Sequence, residues 1–192
     1  MHFRRETYIY KGVWTLIFIT MLSYRIVNVV CSAQLETDVT FQDFLEVADK
    51  RYTHRPTMAV FKRKGTTIIL FTSKKIRIMG LPSNCTNTLE DLVDEHRKTI
   101  LEWMNEFHYP LFLKCFTFNT STMTHKIDAE INYFKNQHCL DYELEIFNAA
   151  RFKQVTSCHV NVFASRYVVV TGVKHEEQMR RPIKQLHCLL NK

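Results

Sequence analysis

The strongest constraint on this chain is that it contains the same segment twice. Leu70-Phe71-Thr72-Ser73-Lys74-Lys75-Ile76-Arg77-Ile78-Met79-Gly80 recurs without a gap as Val162-Phe163-Ala164-Ser165-Arg166-Tyr167-Val168-Val169-Val170-Thr171-Gly172. Phe71 and Phe163, Ser73 and Ser165, and Gly80 and Gly172 each stand 92 positions apart. A period that long in a chain of 192 residues means a duplicated half-domain rather than a solenoid of short repeats. The fold is therefore expected to carry a pseudo-two-fold axis, and paired half-sites suit a partner that is itself two-fold, such as a nucleic-acid duplex.

Both copies alternate apolar and polar residues, so each reads as a strand ended by glycine. Residues 25–35 read as a strand and 40–51 as a helix with Phe41, Phe44, Leu45 and Ala48 on one side, Thr40 and Asp43 forming a capping box. Strands are expected over 57–61, 66–72 and 75–79, the first two joined by the basic turn Lys62-Arg63-Lys64-Gly65. A long helix starts at Thr88, its apolar stripe drawn from Leu89, Leu92, Val93, Ile100, Leu101, Met104 and Phe107. After a linker at 108–110 the order repeats. It gives a strand at 111–119, a helix marked by Ile127, Ile131 and Phe134, strands at 150–155, 160–164 and 167–171, and a helix at 176–190 that Pro182 should kink or begin. The chain thus divides into an extension at 1–24, a first repeat at 25–107, a linker at 108–110 and a second repeat at 111–192. Such an order describes an α+β fold, an antiparallel sheet with helices on one face and the other face open.

Composition narrows the partner. The net charge is +7 and the pI near 9.1, which favours a polyanion. Hydrophobic residues make up 46% of the chain, enough for a real core, and the four glycines and four prolines argue against a low-complexity protein. Basic residues gather at Lys62-Arg63-Lys64, Lys74-Lys75-Arg77, Arg151-Lys153 and Arg180-Arg181-Lys184, while the acidic groups read as solvated helix faces. The six cysteines include no CxxC pair and are expected to be buried free thiols, without metal. Arg4-Arg5, the apolar run 13–22 and Cys31-Ser32-Ala33 outline a secretory signal. Arg25 interrupts that outline, and cleavage after Ala33 would remove a strand the repeat needs, so secretion of a disulfide-bonded protein is the weaker reading. No P-loop, GxSxG or HExxH motif is present, so no enzyme or cofactor is expected.

With the repeat laid out, residues 25–191 resemble the core domain of the TATA-binding protein family. Ile26-Val27-Asn28-Val29-Val30-Cys31-Ser32-Ala33-Gln34-Leu35 is similar to the family's opening I-Q-N-I-V-S-T-V-N-L. The two repeated segments resemble I-F-S-S-G-K-M-V-C-T-G and I-F-V-S-G-K-I-V-L-T-G, and Tyr142-Glu143-Leu144-Glu145-Ile146-Phe147 resembles the stirrup Y-E-P-E-L-F. The resemblance implies a saddle of two pseudo-symmetric repeats, a curved antiparallel sheet with helices on its convex face. It implies a general transcription initiation factor that binds and bends A·T-rich promoter DNA through the minor groove.

Carried over by position, Phe71 and Phe163 are the inner wedges of the two halves and Phe147 the outer wedge of half two; at the fourth position stands Thr57 or a neighbour such as Arg55. Alternation adds Ser73, Lys75, Arg77 and Met79 in half one, and Ser165, Tyr167, Val169 and Thr171 in half two. Asn28 matches a base-contacting asparagine, with its counterpart near Phe116. Lys62, Arg63, Lys64, Arg151 and Lys153 are expected on phosphates. Glu143, Glu145 and Ile146 match the stirrup that docks transcription factor IIB, so initiation factors and polymerase are implied partners and the nucleus, or a viral replication compartment, the implied location. Where the family has Lys, Val and Thr, half one has Lys75, Arg77 and Met79, and half two has Tyr167, Val169 and Thr171. These departures leave room for a scaffold that binds the transcription machinery with little DNA binding of its own, such as a viral mimic. An enzymatic reading, by way of the same fold in DNA glycosylases, lacks the helix-hairpin-helix and catalytic Asp it needs.

Overall fold

Hydrogen bonding knits both halves into one antiparallel sheet, whose strand order places the two halves back to back. The structure, a computed structural model, describes residues 24–51, 57–81, 88–128, 140–141, 149–152 and 158–190. In half one, β1 (Arg25–Glu36) is followed by α1 (Phe41–Glu46), β2 (Lys50–Arg51), β3 (Met58–Arg63), β4 (Thr66–Phe71), β5 (Lys75–Gly80) and α2 (Leu89–Met104). In half two, β6 (Phe112–Lys126) leads to β7 (Leu140–Asp141), β8 (Ala149–Phe152), β9 (His159–Phe163), β10 (Tyr167–Val173) and α3 (Glu177–Leu190). The ten strands run β2-β3-β4-β5-β1-β6-β10-β9-β8-β7, so β1 and β6 are the seam.

The register repeats the 92-residue offset on the two sides of that seam. Lys75, Arg77 and Met79 face Gln34, Ser32 and Val30 in half one. Tyr167, Val169 and Thr171 face Lys126, Thr124 and Thr122 in half two. The hairpin turns match as well. The amide of Lys74 donates to Phe71 O at 2.8 Å and that of Arg166 to Phe163 O at 2.9 Å, and both residues hold positive φ, 60° and 65°. At the β3–β4 turn, Lys64 (φ 48°) and Gly65 (φ 80°) make the left-handed pair that a tight hairpin requires.

The core lies between the sheet and the helices. Val29, Cys31, Ala33, Ile68, Leu70, Ile76 and Ile78 in half one, and Met123, Val160, Val162, Val168 and Val170 in half two, point to the same side and are buried. Helix α2 closes half one. Thr88 caps it, accepting from the Asp91 amide at 3.1 Å, and Trp103 packs its ring against Phe61 and Phe107 at centroid separations of 5.0 and 5.2 Å. Helix α3 closes half two, with Ile183 and Leu186 fully buried. It continues through Pro182. The Gln178 carbonyl, which a residue with an amide proton at 182 would have bonded, accepts from Cys158 Sγ at 3.7 Å.

Four expectations need correction. The helix expected over 40–51 ends at Glu46; Lys50 and Arg51 instead pair with Val60 and Ala59 and protect the edge of β3. The apolar stripe of α2 is rotated, since Leu101 is exposed while His96, Thr99 and Trp103 are buried. The strand expected to stop at Asn119 continues to Lys126, because Ser121, Met123 and His125 fill core positions between outward threonines. Of the six thiols, Cys31 and Cys158 are buried but Cys115 and Cys188 are exposed. Ile131, Phe134, Cys85 and Cys139 lie outside the described residues.

Candidate nucleic-acid interface

The face of the sheet away from the helices is built by strand alternation. On it β4 presents Thr67, Ile69 and Phe71, β5 presents Lys75, Arg77 and Met79, and β1 presents Asn28, Val30, Ser32 and Gln34. Half two contributes Thr120, Thr122 and Thr124 from β6, with Val169 and Thr171 from β10, Asn161 and Phe163 from β9, and Ala149 and Arg151 from β8. Both Phe71 and Phe163 are half-buried and stand outside the core cluster, each at the last position of its strand. They face Met58 and Ala149 respectively.

Around the seam the floor is small and hydroxyl-rich. Asn28 faces Thr122 and Val30 faces Thr120 across β1 and β6, an arrangement that makes Thr120 the two-fold counterpart of Asn28. Phe116, expected in that place, packs against the core instead. Oδ1 of Asn28 accepts the Gly80 amide at 2.9 Å, which holds the side chain in position. Gly80 itself has φ +115°, where a side chain is strained.

Charge enters at defined places. Lys75, Lys126 and Arg151 are exposed on this face, as is Lys62 at the β3 edge. Arg77 is exposed beside Phe71, its Cζ 6.0 Å from the centre of that ring. The other two basic residues of the first hairpin are turned away. Arg63 pairs with Asp49 at 3.1 Å and with Glu106 at 2.6 Å, and Lys64 with Glu102 at 2.6 Å, which carries both toward the end of α2. The Glu106 carboxylate, aided by Asp49, raises the Arg63 pKa above its ordinary value. Arg63 and Lys64, expected on phosphates, here pair with carboxylates on the helix side.

Ser73 and Ser165 also differ from expectation. Alternation put them on the sheet face, whereas both lie exposed in the turns that follow β4 and β9, and Ser73 O accepts from Gln34 Nε2 at 3.0 Å. The three-residue turn keeps the parity of the strands, so Lys75, Arg77 and Met79 and their counterparts Tyr167, Val169 and Thr171 do share the open face. Thr57 is exposed just before β3, its carbonyl accepting from the Thr72 amide at 3.1 Å. Phe147, Lys153, Glu143, Glu145, Ile146 and Arg55 lie outside the described residues. The threonine ladder of β6, Lys126 and Asn161 escaped sequence reasoning; the signal was the alternation Thr120-x-Thr122-x-Thr124, masked by its polarity.

A curved face of this kind, with paired aromatic side chains over a floor of Val, Thr and Asn and cations around it, suits close contact with a surface of small acceptors and a polyanionic rim. Among the described residues no cluster of three or more His, Cys, Asp or Glu side chains could hold a metal. No family model matches the sequence, and no curated protein matches it. Among solved structures the fold is similar to that of the TBP of Methanococcus jannaschii, with a TM-score of 0.65 over 88% of this chain and 98% of that one, at 19% identity. The fold is therefore the α+β saddle of that protein, a curved antiparallel sheet with helices on one side.

Proposed function

We propose that this chain is a DNA-binding transcription initiation factor that binds A·T-rich promoter DNA through the minor groove and bends it. The observation that carries the reading is the placement of Phe71 and Phe163 at two-fold-related positions on the uncovered face of the saddle. In this reading each ring enters a base step from the minor-groove side, unstacks it, and makes the duplex follow the curve of the sheet. Val30, Thr120, Thr122, Val169 and Thr171 then lie against the groove floor, where A·T pairs offer N3 and O2 acceptors and no protruding amino group. Asn28 Nδ2 donates to such an acceptor, while Lys62, Lys75, Lys126 and Arg151 neutralise phosphates. The protein does no chemistry on the DNA and needs no cofactor. Recruitment of a transcription factor IIB-like partner and polymerase through Glu143, Glu145 and Ile146, and residence in the nucleus or a viral replication compartment, belong to the same proposal.

One observation favours a second reading, a scaffold that binds initiation factors with weak DNA affinity. Arg77 and Met79 replace the small apolar floor in half one, and Arg77 lies beside its wedge. A mobility-shift and bending assay on A·T-rich duplexes, with and without an initiation-factor partner, separates the two. The DNA-binding reading expects wild type to bind and bend, and Phe163→Ala to weaken binding about tenfold or more, as truncating a buried interface aromatic does. Equal binding by Phe163→Ala would remove the wedge; absence of binding under every condition leaves the scaffold.

A further inference from the structure

Two asparagines on the open face are held differently. Asn28 is half-committed: its Oδ1 accepts the Gly80 amide at 2.9 Å, which leaves it only Nδ2 to offer outward. Asn161 stands on β9 two places before Phe163 and on the same face, half-buried between Val169 of β10 and Arg151 of β8. Its carboxamide has no hydrogen-bond partner among the described residues, so it presents an acceptor and a donor side by side. Ninety-two positions earlier, the counterpart of Asn161 is Ile69 of β4, half-buried between Arg77 and Val60. At this pair of positions half one offers methyl groups and half two offers an amide.

Resting on the DNA-binding reading above, we propose that Asn161 reads a guanine, so that one position of an otherwise A·T-rich site is a G·C pair. In the minor groove a G·C pair differs from A·T by the guanine N2 amino donor, which lies next to the N3 acceptor. Oδ1 of Asn161 accepts from N2 while Nδ2 donates to N3, and both atoms of the carboxamide are then satisfied. Against an A·T pair, whose minor-groove edge carries acceptors alone, Nδ2 keeps its bond but Oδ1 loses water and gains nothing. Ile69 has no acceptor at all. A guanine amino group under it would be stripped of water against methyl groups, so half one refuses the pair that half two takes. The position read lies next to the step that Phe163 opens, since both side chains project from one strand.

The test measures binding of the full chain, by fluorescence anisotropy, to a palindromic duplex of alternating T-A steps and to a set in which one G·C pair is moved through one arm. The palindrome makes the result independent of which way round the protein lies. At one position the single G·C duplex is expected to bind about tenfold more tightly than the parent, the size of one two-bonded base contact. Inosine in place of that guanine, which lacks only the N2 amino group, should abolish the gain. A second G·C pair at the two-fold-related position, which meets Ile69, should weaken binding again. Asn161→Val should reverse the order, with the G·C duplex bound less well than the parent, and thermal melting checks that the variant folds. The inosine comparison is made on wild type and holds whether or not it does. If wild type binds the parent but prefers G·C at no position, binds inosine as well as guanine, or gains from the second G·C as from the first, the inference is overturned and DNA binding stands. A folded Asn161→Val that keeps the preference overturns it equally. Failure of wild type to bind any of these duplexes overturns the DNA-binding reading and this inference with it.

Discussion

Replacing Gly80 by alanine tests whether the repeated glycine is a packing device or merely the end of a strand. Its φ of +115° is a region that side chains rarely adopt, and holding a non-glycine residue there costs roughly 1–3 kcal/mol. An added Cβ would stand 3.0 Å from the Gly65 carbonyl oxygen and 3.3 Å from Thr66 Cα. Both neighbours are backbone at the β3–β4 turn, so neither can swing away as a flexible side-chain tip would. β5 must shift, and with it the Gly80 amide that holds Asn28 Oδ1 at 2.9 Å. Strain and contact together give about 2–4 kcal/mol, the upper part from the clash. For a chain of this length that corresponds to a fall in Tm of roughly 5–15 °C. Chemical denaturation followed by circular dichroism measures it, with an unchanged m-value as the check that only stability has moved. Asn28→Ala, which leaves the Gly80 amide without its acceptor, should cost about 1–2 kcal/mol by itself. A Gly80→Ala protein within about 0.5 kcal/mol of wild type would refute the reasoning, since it would mean that β5 slides without resistance.

Burial holds the His96 pKa below its ordinary value, while Nε2 lies 3.2 Å from Val29 O. The folded state therefore resists protonation: stability should be level above about pH 6.5 and fall as the pH drops from there toward the folded-state pKa, a dependence that His96→Leu should flatten in a denaturation series. Cys31 is buried and its thiol pKa is pushed up to about 12, whereas Cys115 and Cys188 are exposed. A thiol reagent at pH 8 should lose one rapidly reacting equivalent in each of Cys115→Ser and Cys188→Ser and none in Cys31→Ser; rapid labelling of Cys31 in the folded protein would contradict its placement.

Much of the fold was legible because the duplication left a local signature. The alternation in residues 70–80 and 162–172 specifies which side chains face the core, and Ile76, Ile78, Val168 and Val170 are buried as it requires. What was not legible depends on neighbours distant in sequence. β6 lies between β1 and β10, and a strand paired on both sides tolerates a threonine-rich run that looks like a loop when taken alone. β2 has no periodicity to detect, being two residues that pair with β3 only because α1 ends at Glu46. His96 and Trp103 replace Leu101 on the buried side of α2 because the helix is rotated by its aromatic contacts with Phe44, Phe61 and Phe107, none of which is close in sequence except the last.

The interface shows the same division between what one strand encodes and what pairing decides. Phe71, Lys75, Arg77 and Met79 could be placed on one face from their own strands, since a three-residue turn preserves parity. The commitment of Arg63 and Lys64 to Asp49, Glu102 and Glu106 could not, because those partners lie on elements that meet the hairpin only in the folded chain. That pairing has a consequence for charge at the open face. With the tip of the first hairpin neutralised on the helix side, the positive potential of half one rests more heavily on Lys75 and Arg77 nearer the seam. In half two Arg151 stands on β8, three strands out from β6, while Lys126 lies on β6 itself. The carboxylates at the end of α2 thus shift the cationic centre of half one inward, and the asymmetry of the face follows from ion pairs on its back as much as from the substitution at position 77.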